Sequence, residues 1–196
     1  DGNGDFVIAW EDYRNLDGDI YFQRYDSAGI ALNSNIVANS DSTNEDQHQV
    51  EVRKDFNGDF VLTWVDLRSG NSDIYFRRAN SSGVLQGSPV RVNSDLGLDP
   101  QWEPSVDIDS LGDFIVAWAD YRSLPTIYIQ RYDGLGTPLG VNSQISDLAA
   151  PNERHSSSLF LPNSGDFVVG WMDSRSSNYD IYLQRMTKTG TKKGNN

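Results

Sequence analysis

Four short, largely apolar runs recur along the chain: Phe6-Val7-Ile8-Ala9-Trp10, Phe60-Val61-Leu62-Thr63-Trp64, Phe114-Ile115-Val116-Ala117-Trp118 and Phe167-Val168-Val169-Gly170-Trp171. Each is too short for a typical helix and is rich in β-branched and aromatic residues, which reads as a strand buried on both faces. About ten residues further on, Ile20-Tyr21-Phe22-Gln23-Arg24 and its counterparts read as a second strand, reached through a polar turn of the Asn, Asp, Gly or Pro kind. Upstream of the second run, His48-Gln49-Val50-Glu51-Val52 alternates and ends in Asn57-Gly58, a turn suited to the twist of a hairpin. Downstream, Ser88-Pro89-Val90-Arg91-Val92-Asn93 is weaker and carries a Pro, as an edge strand does. The pattern therefore predicts four strands in each unit. It shows no helical periodicity of useful length.

The unit is repeated almost verbatim. Gly-Asp-Phe begins at Gly4, Gly58, Gly112 and Gly165, at intervals of 54, 54 and 53 residues, inside a shared frame G-D-F-[VI]-x-x-W-x-D-x-R followed by I-Y-x-[QR]-R. A four-stranded unit whose middle strands are apolar on both faces must stack on copies of itself, and radial stacking gives a β-propeller. The fold expected is all-β: a propeller of four-stranded antiparallel blades in a single repeat domain, residues 1–196. The blades fall at about 1–40, 46–94, 101–147 and 154–196. The first lacks its inner strand and the fourth has its outer strand missing or incomplete, so the sequence reads as a segment of something longer.

Composition narrows the setting. Acidic residues outnumber basic ones 28 to 16, for a formal charge of −12, which repels phosphate backbones and argues against nucleic acid as a partner. There are no cysteines, so disulfides and thiolate metal sites are excluded. No apolar run is long enough to span a bilayer.

The frame W-x-D-x-R followed by D-I-Y-x-Q-R resembles the repeats of large bacterial secreted and cell-surface proteins of propeller-like type. That resemblance implies an extracellular or cell-surface location and a role in adhesion, binding or scaffolding. The third copy departs from it with Thr126 where the others have Asp19, Asp73 and Asp180, and the Ser-x-Asp-x-Gly-x-Thr-Trp box of sialidase-type propellers is absent.

Three groups of residues could carry chemistry. The fourfold set Trp10, Asp12, Arg14; Trp64, Asp66, Arg68; Trp118, Asp120, Arg122; and Trp171, Asp173, Arg175 is expected to be structural, with the carboxylate accepting turn N–H bonds and pairing with Arg beside a buried Trp. A feature present in every copy is what a blade needs to fold. The turns holding Asp1, Asn3 and Asp5, and Asp55, Asn57 and Asp59, carry oxygens at alternate positions; plain turns are the first reading and structural calcium the alternative, with no cofactor required. The segments that lead into the inner strands differ between copies and place His48, Trp102 and His155 at equivalent positions, with Asp46, Glu103 and Glu153 beside them. These six are the ligand-binding candidates, for a carbohydrate or a protein.

No nucleophile motif, phosphate loop or zinc signature is present. The expectation is a non-catalytic binding or adhesion scaffold. Its alternatives are a glycoside-acting, sialidase-like propeller enzyme, and a structural oligomer or filament subunit that associates through its incomplete end blades.

Overall fold

The computed structural model describes residues 1–40, 44–95, 97–122, 124–146, 165–174 and 178–195, together with the strand course of Arg154–Phe160. The described strands are β1 (Phe6–Asp12), β2 (Asp19–Tyr25), β3 (Ala31–Val37), β4 (Gln47–Lys54), β5 (Phe60–Asp66), β6 (Asp73–Ala79), β7 (Leu85–Arg91), β8 (Gln101–Ile108), β9 (Phe114–Asp120), β10 (Thr126–Tyr132), β11 (Ser143–Gln144), β12 (Arg154–Phe160), β13 (Phe167–Asp173), β14 (Asp180–Met186) and β15 (Lys192–Lys193). They form antiparallel sheets in the orders β1-β2-β3, β4-β5-β6-β7, β8-β9-β10-β11 and β12-β13-β14-β15. Each sheet is one blade of a β-propeller. The first sheet has three strands, and β1 is its inner edge.

Every residue of β5 and β9 is buried. Three apolar layers result, one between each pair of successive blades. Ile20 and Phe22 meet Phe60, Leu62 and Trp64; Ile74 and Phe76 meet Phe114, Val116 and Trp118; Ile127 and Ile129 meet Phe167, Val169 and Trp171. Aromatic edges key the layers together, with Phe22 against Phe60 at 5.2 Å and Phe76 against Phe114 at 5.0 Å between ring centroids. At roughly 25 cal/mol per Å² of apolar surface, each fully buried Phe or Ile contributes about 1.5–3 kcal/mol toward holding neighbouring blades together.

The Trp-Asp-Arg set closes the hairpin of each of the first three blades. In the second blade, the Trp64 indole N–H donates to Asp66 Oδ2 at 2.9 Å, the backbone N–H and Nε of Arg68 donate to Oδ1 at 3.0 and 2.8 Å, and Arg68 Nη2 donates to Oδ2 at 2.5 Å. The third blade repeats this through Trp118, Asp120 and Arg122. The first repeats it through Trp10, Asp12 and Arg14, where the Arg14 and Trp10 hydrogen bonds hold the Asp12 carboxyl far below the usual carboxylate range. Each of these guanidiniums also lies over the Tyr of the partner strand, at 4.4–4.6 Å from the ring centre of Tyr21, Tyr75 or Tyr128. In the fourth blade Trp171 donates to Asp173 at 3.4 Å, while Arg175 lies outside the described residues.

The register sets Asp66 directly opposite Asp73, two buried carboxylates that would repel across the ladder. Arg68 holds the first. Asp73 is held by Arg91 Nη2 at 3.1 Å and Asn93 Nδ2 at 2.8 Å, while Asn93 Oδ1 accepts the Ile74 N–H at 2.9 Å. In the third blade the three partners change together: Thr126 replaces the Asp, Gln144 the Arg and Ser146 the Asn, and Ser146 Oγ accepts the Ile127 N–H at 2.9 Å. The departure of Thr126 from the repeat is thus compensated locally.

The frame glycines Gly4, Gly58, Gly112 and Gly165 all have φ between 68° and 98°, a conformation that L side chains rarely adopt. The aspartates after them tie one turn to the next, since Asp5, Asp59, Asp113 and Asp166 accept the N–H groups of Ser27, Ser81, Gly134 and Lys188.

Two outcomes follow. Asp66→Ala leaves a buried guanidinium and indole without their acceptor and is expected to cost about 3–5 kcal/mol in urea unfolding, with Asp12→Ala, at a more exposed copy, costing clearly less. Thr126→Asp is expected to lose about 3 kcal/mol for want of a counter-charge, and adding Ser146→Asn and Gln144→Arg recovers at least about 1 kcal/mol of it in a mutant cycle; strict additivity would sink the coupling.

Candidate functional site

The inner strands β4, β8 and β12 all begin on the rim where β1, β5, β9 and β13 end. Hairpin topology puts the Gly-Asp turns on the opposite rim. The two sets of candidate residues therefore occupy opposite ends of the propeller.

On the first rim, Gln47 and Gln101 open β4 and β8, and both are fully buried. Gln47 Oε1 accepts from Asn39 at 2.6 Å, and Asn39 also donates to Asp19 at 2.8 Å. Gln101 repeats this with Asn93 at 2.9 Å, and its own amide donates to the Asp99 carbonyl at 2.7 Å. These two Asn–Gln pairs, each eight residues apart, fix the place at which β4 and β8 start. They were not singled out in the sequence, although Asn39 and Asn93, and Gln47 and Gln101, stand one repeat of 54 residues apart.

From that fixed start the next residues are set by a bulge. In β4 the register runs His48↔Val65 and then Glu51↔Thr63; in β8 it runs Trp102↔Ala119 and then Ser105↔Ala117. The extra residue in each strand puts Gln49 and Glu103 at φ 54° and 55°, the left-handed region, which is uncommon for residues with side chains. β12 pairs without interruption from Arg154↔Asp173 to Phe160↔Phe167.

The bulges link three blades around the axis. The Gln49 N–H donates to Glu11 Oε1 at 2.6 Å, and the Glu103 N–H donates to Gln49 Oε1 at 2.8 Å. Beside this chain the His48 and Trp102 rings stack, 5.3 Å between centroids and 24° from parallel, both half-buried. Two carboxylates, an amide, an imidazole and an indole thus share one rim near the axis. Glu11 was not anticipated, but a signal for it exists: its counterparts in the repeat are Val65, Ala119 and Met172, so Glu11 breaks an otherwise apolar position.

Of the six binding candidates, His48, Trp102 and Glu103 are brought together. Asp46 Oδ1 accepts the Gly18 N–H at 2.8 Å and anchors the hairpin loop of the first blade. Glu153 lies outside the described residues. His155 is placed only as a member of β12, paired with Met172, and its side chain lies outside the description.

On the other rim, Asp1 Oδ1 accepts the N–H groups of Asn3 and Asp5 at 3.0 Å each, and Asp55 Oδ1 accepts that of Asp59 at 2.9 Å. Asp1 also pairs with Lys54 Nζ at 2.8 Å. Burial lowers the affinity of Lys54 for its proton, with nearby Asp5 and Asp55 working the other way. Asn57 and Asp59 border a cleft that takes in Arg78 of the same blade and reaches Gly112 of the next.

No family model and no curated protein matches the chain. Solved structures do. An α-L-arabinanase of Penicillium chrysogenum complexed with arabinobiose matches at 16% identity and TM-score 0.58, covering 97% of this chain and 63% of that one. An α-L-arabinofuranosidase of Fusarium graminearum, also with arabinobiose, matches at 14% identity and TM-score 0.59, covering 94% and 59%. An exo-1,5-α-L-arabinanase from a bovine ruminal metagenomic library matches at 13% and 0.53, covering 99% and 75%. The chain therefore spans about three-fifths of the length of the first two. At these identities the likeness establishes the propeller fold. It also corrects the expectation of a non-catalytic scaffold that is not an enzyme: the structures on which nearly the whole chain lies are glycoside hydrolases, which favours the glycoside-acting alternative. The physical reason is that the repeat frame reports only what a blade needs to fold, and so carries no signal for or against chemistry elsewhere on the molecule.

Proposed function

We propose that this chain forms part of a glycoside-acting propeller directed at arabinose-containing oligosaccharides, with the rim around Glu11, His48, Gln49, Trp102 and Glu103 as its sugar site. The observation that carries the proposal is the stacked His48–Trp102 pair standing beside two carboxylates linked through Gln49. A half-buried indole offers the apolar face on which a sugar ring packs, and carboxylates accept its hydroxyl protons. The likeness to hydrolases seen with arabinobiose supports the substrate class. An extracellular setting suits a polymeric substrate of this kind.

Glycoside hydrolysis needs two carboxyl groups flanking the scissile bond. One protonates the leaving oxygen as the bond from the anomeric carbon breaks. The other either attacks that carbon or takes a proton from the water that does. We assign these roles to Glu103 and Glu11 as a pair. The bulge geometry favours Glu103, since residues held at positive φ by their surroundings are often those whose placement function requires, and Glu11 is held to the neighbouring bulge by the Gln49 N–H.

The test uses an aryl α-L-arabinofuranoside for turnover and arabinobiose for binding, read by intrinsic tryptophan fluorescence. Glu103→Gln and Glu11→Gln are expected to lower kcat by about 10²–10⁴-fold with little change in arabinobiose binding. Trp102→Ala is expected to weaken that binding by about tenfold, the loss of one aromatic contact. A protein that neither releases the aryl alcohol nor responds to millimolar arabinobiose would overturn the assignment.

A further inference from the structure

Between the two carboxylates of the rim stands an amide, Gln49, whose orientation its neighbours settle. The Glu103 backbone N–H can only donate, and it donates to Gln49 Oε1 at 2.8 Å, so the amide oxygen is turned toward the third blade. The Gln49 backbone is held as well, because its own N–H donates to Glu11 Oε1 at 2.6 Å and the bulge keeps it at φ 54°. With backbone and amide oxygen both tied, the amide nitrogen is the end left over. Gln49 is exposed, and among the described residues its Nε2 has no hydrogen-bond partner. The counterparts of Gln49 in the next two copies are Glu103 and Ser156, so the second blade alone of these three brings an amide to this station.

That free N–H group supplies what the carboxylates lack. An ionised carboxylate accepts hydrogen bonds and donates none. A sugar hydroxyl does both: it can give its proton to a carboxylate and accept a hydrogen bond from Gln49 Nε2 at the same time. The chemistry of the reaction selects which hydroxyl. In glycoside hydrolysis the anomeric carbon lies between the two carboxyl groups, and the hydroxyl on the adjoining carbon, the 2-hydroxyl, makes hydrogen bonds that strengthen in the transition state. A donor standing between the carboxylates is placed to meet that hydroxyl. An amide suits the position for a second reason, since it is neutral and adds no third negative charge between Glu11 and Glu103.

We propose that Gln49 is the specificity-determining residue of this rim, its amide nitrogen donating to the 2-hydroxyl of the sugar unit whose glycosidic bond breaks, so that 2-deoxy glycosides are disfavoured. The inference rests on the reading of the rim as a sugar site. It adds to that reading a residue that selects the substrate and transfers no proton.

The experiment compares an aryl α-L-arabinofuranoside with its 2-deoxy counterpart on the wild type, Gln49→Met and Gln49→Gly. Methionine keeps the length of the side chain without the amide, and glycine suits the positive φ of the bulge; unchanged circular dichroism and melting confirm folding. The quantity read is the ratio of kcat/KM for the two substrates. The greater intrinsic lability of the deoxy compound cancels when that ratio is compared between proteins, and so does any displacement of Glu103, which slows both substrates alike. The preference for the 2-hydroxy substrate is expected to fall about tenfold in both variants, the loss of one hydrogen bond. For a variant too slow to assay, the same ratio is taken from the binding of arabinobiose and its 2-deoxy counterpart, read by tryptophan fluorescence. Variants that keep the wild-type preference overturn the role of Gln49 and leave the sugar site standing. A folded variant that neither turns over nor binds either compound makes Gln49 a positioning residue for Glu103 and also overturns the proposal. A wild type inert toward both arabinosides removes the sugar site itself, and the role of Gln49 with it.

Discussion

A sheet whose middle strands are apolar on both faces has no stable life as a single copy, and the rest of this molecule is a consequence of that constraint. β5 and β9 bury every residue, which only a neighbour on each side allows. Stacked twisted sheets fan out about an axis, and the fan brings the inner strands β4, β8 and β12 side by side. The rim site exists because of this convergence: His48 and Trp102 lie 54 residues apart in the chain and stack because their strands occupy the same station in adjacent blades.

Burying both faces also buries the ends of the strands, where the polar groups of the turns must find partners without water. One carboxylate per blade meets most of that demand. Asp66 alone accepts from an indole, a backbone N–H and two guanidinium nitrogens, and it does so with its side chain fully buried. The cost is a second carboxylate directly across the ladder, which the chain meets in two ways. The second blade supplies Arg91 and Asn93; the third removes the charge by using Thr126 and adjusts Gln144 and Ser146 to match. A residue that looks like a lapse in the repeat is therefore one member of a concerted change.

What could be read from the sequence divides along the same line. Apolar periodicity and the repeat interval are short-range properties, and they led directly to the strands, the blades and the propeller. The inner-strand bulges left no such trace, because Gln49 and Glu103 sit at φ values that their residue types do not advertise; only the pairing with β5 and β9 forces them there. Glu11 was legible as an acidic residue at a position held elsewhere by Val65, Ala119 and Met172, but its partner, the Gln49 N–H, lies 38 residues away in another blade. Asp46, two residues before His48, has its Oδ1 engaged by the Gly18 N–H, a cross-hairpin contact that sequence spacing does not reveal. Function was the least legible layer, since the regular frame describes only what each blade needs to fold.

That separation has a physical advantage for a site built on such a scaffold. The inner strands β4 and β8 are fixed at both ends, by Gln47 and Gln101 at the rim and by the glycine turns at the far side. Val50, Val52 and Val106 between those anchors pack into the apolar layers, while His48 and Trp102 differ from copy to copy at a station whose position the anchors set. A catalytic group needs its placement held to within a fraction of an ångström, which rigid strands supply better than loops. The repeat thus provides precision, and the breaks in the repeat are where side chains of other kinds are held. In this chain the breaks at Glu11, His48, Trp102 and Glu103 fall on one rim, around one axis, and that coincidence is the physical reason to look for substrate there rather than among the better repeated carboxylates of the turns.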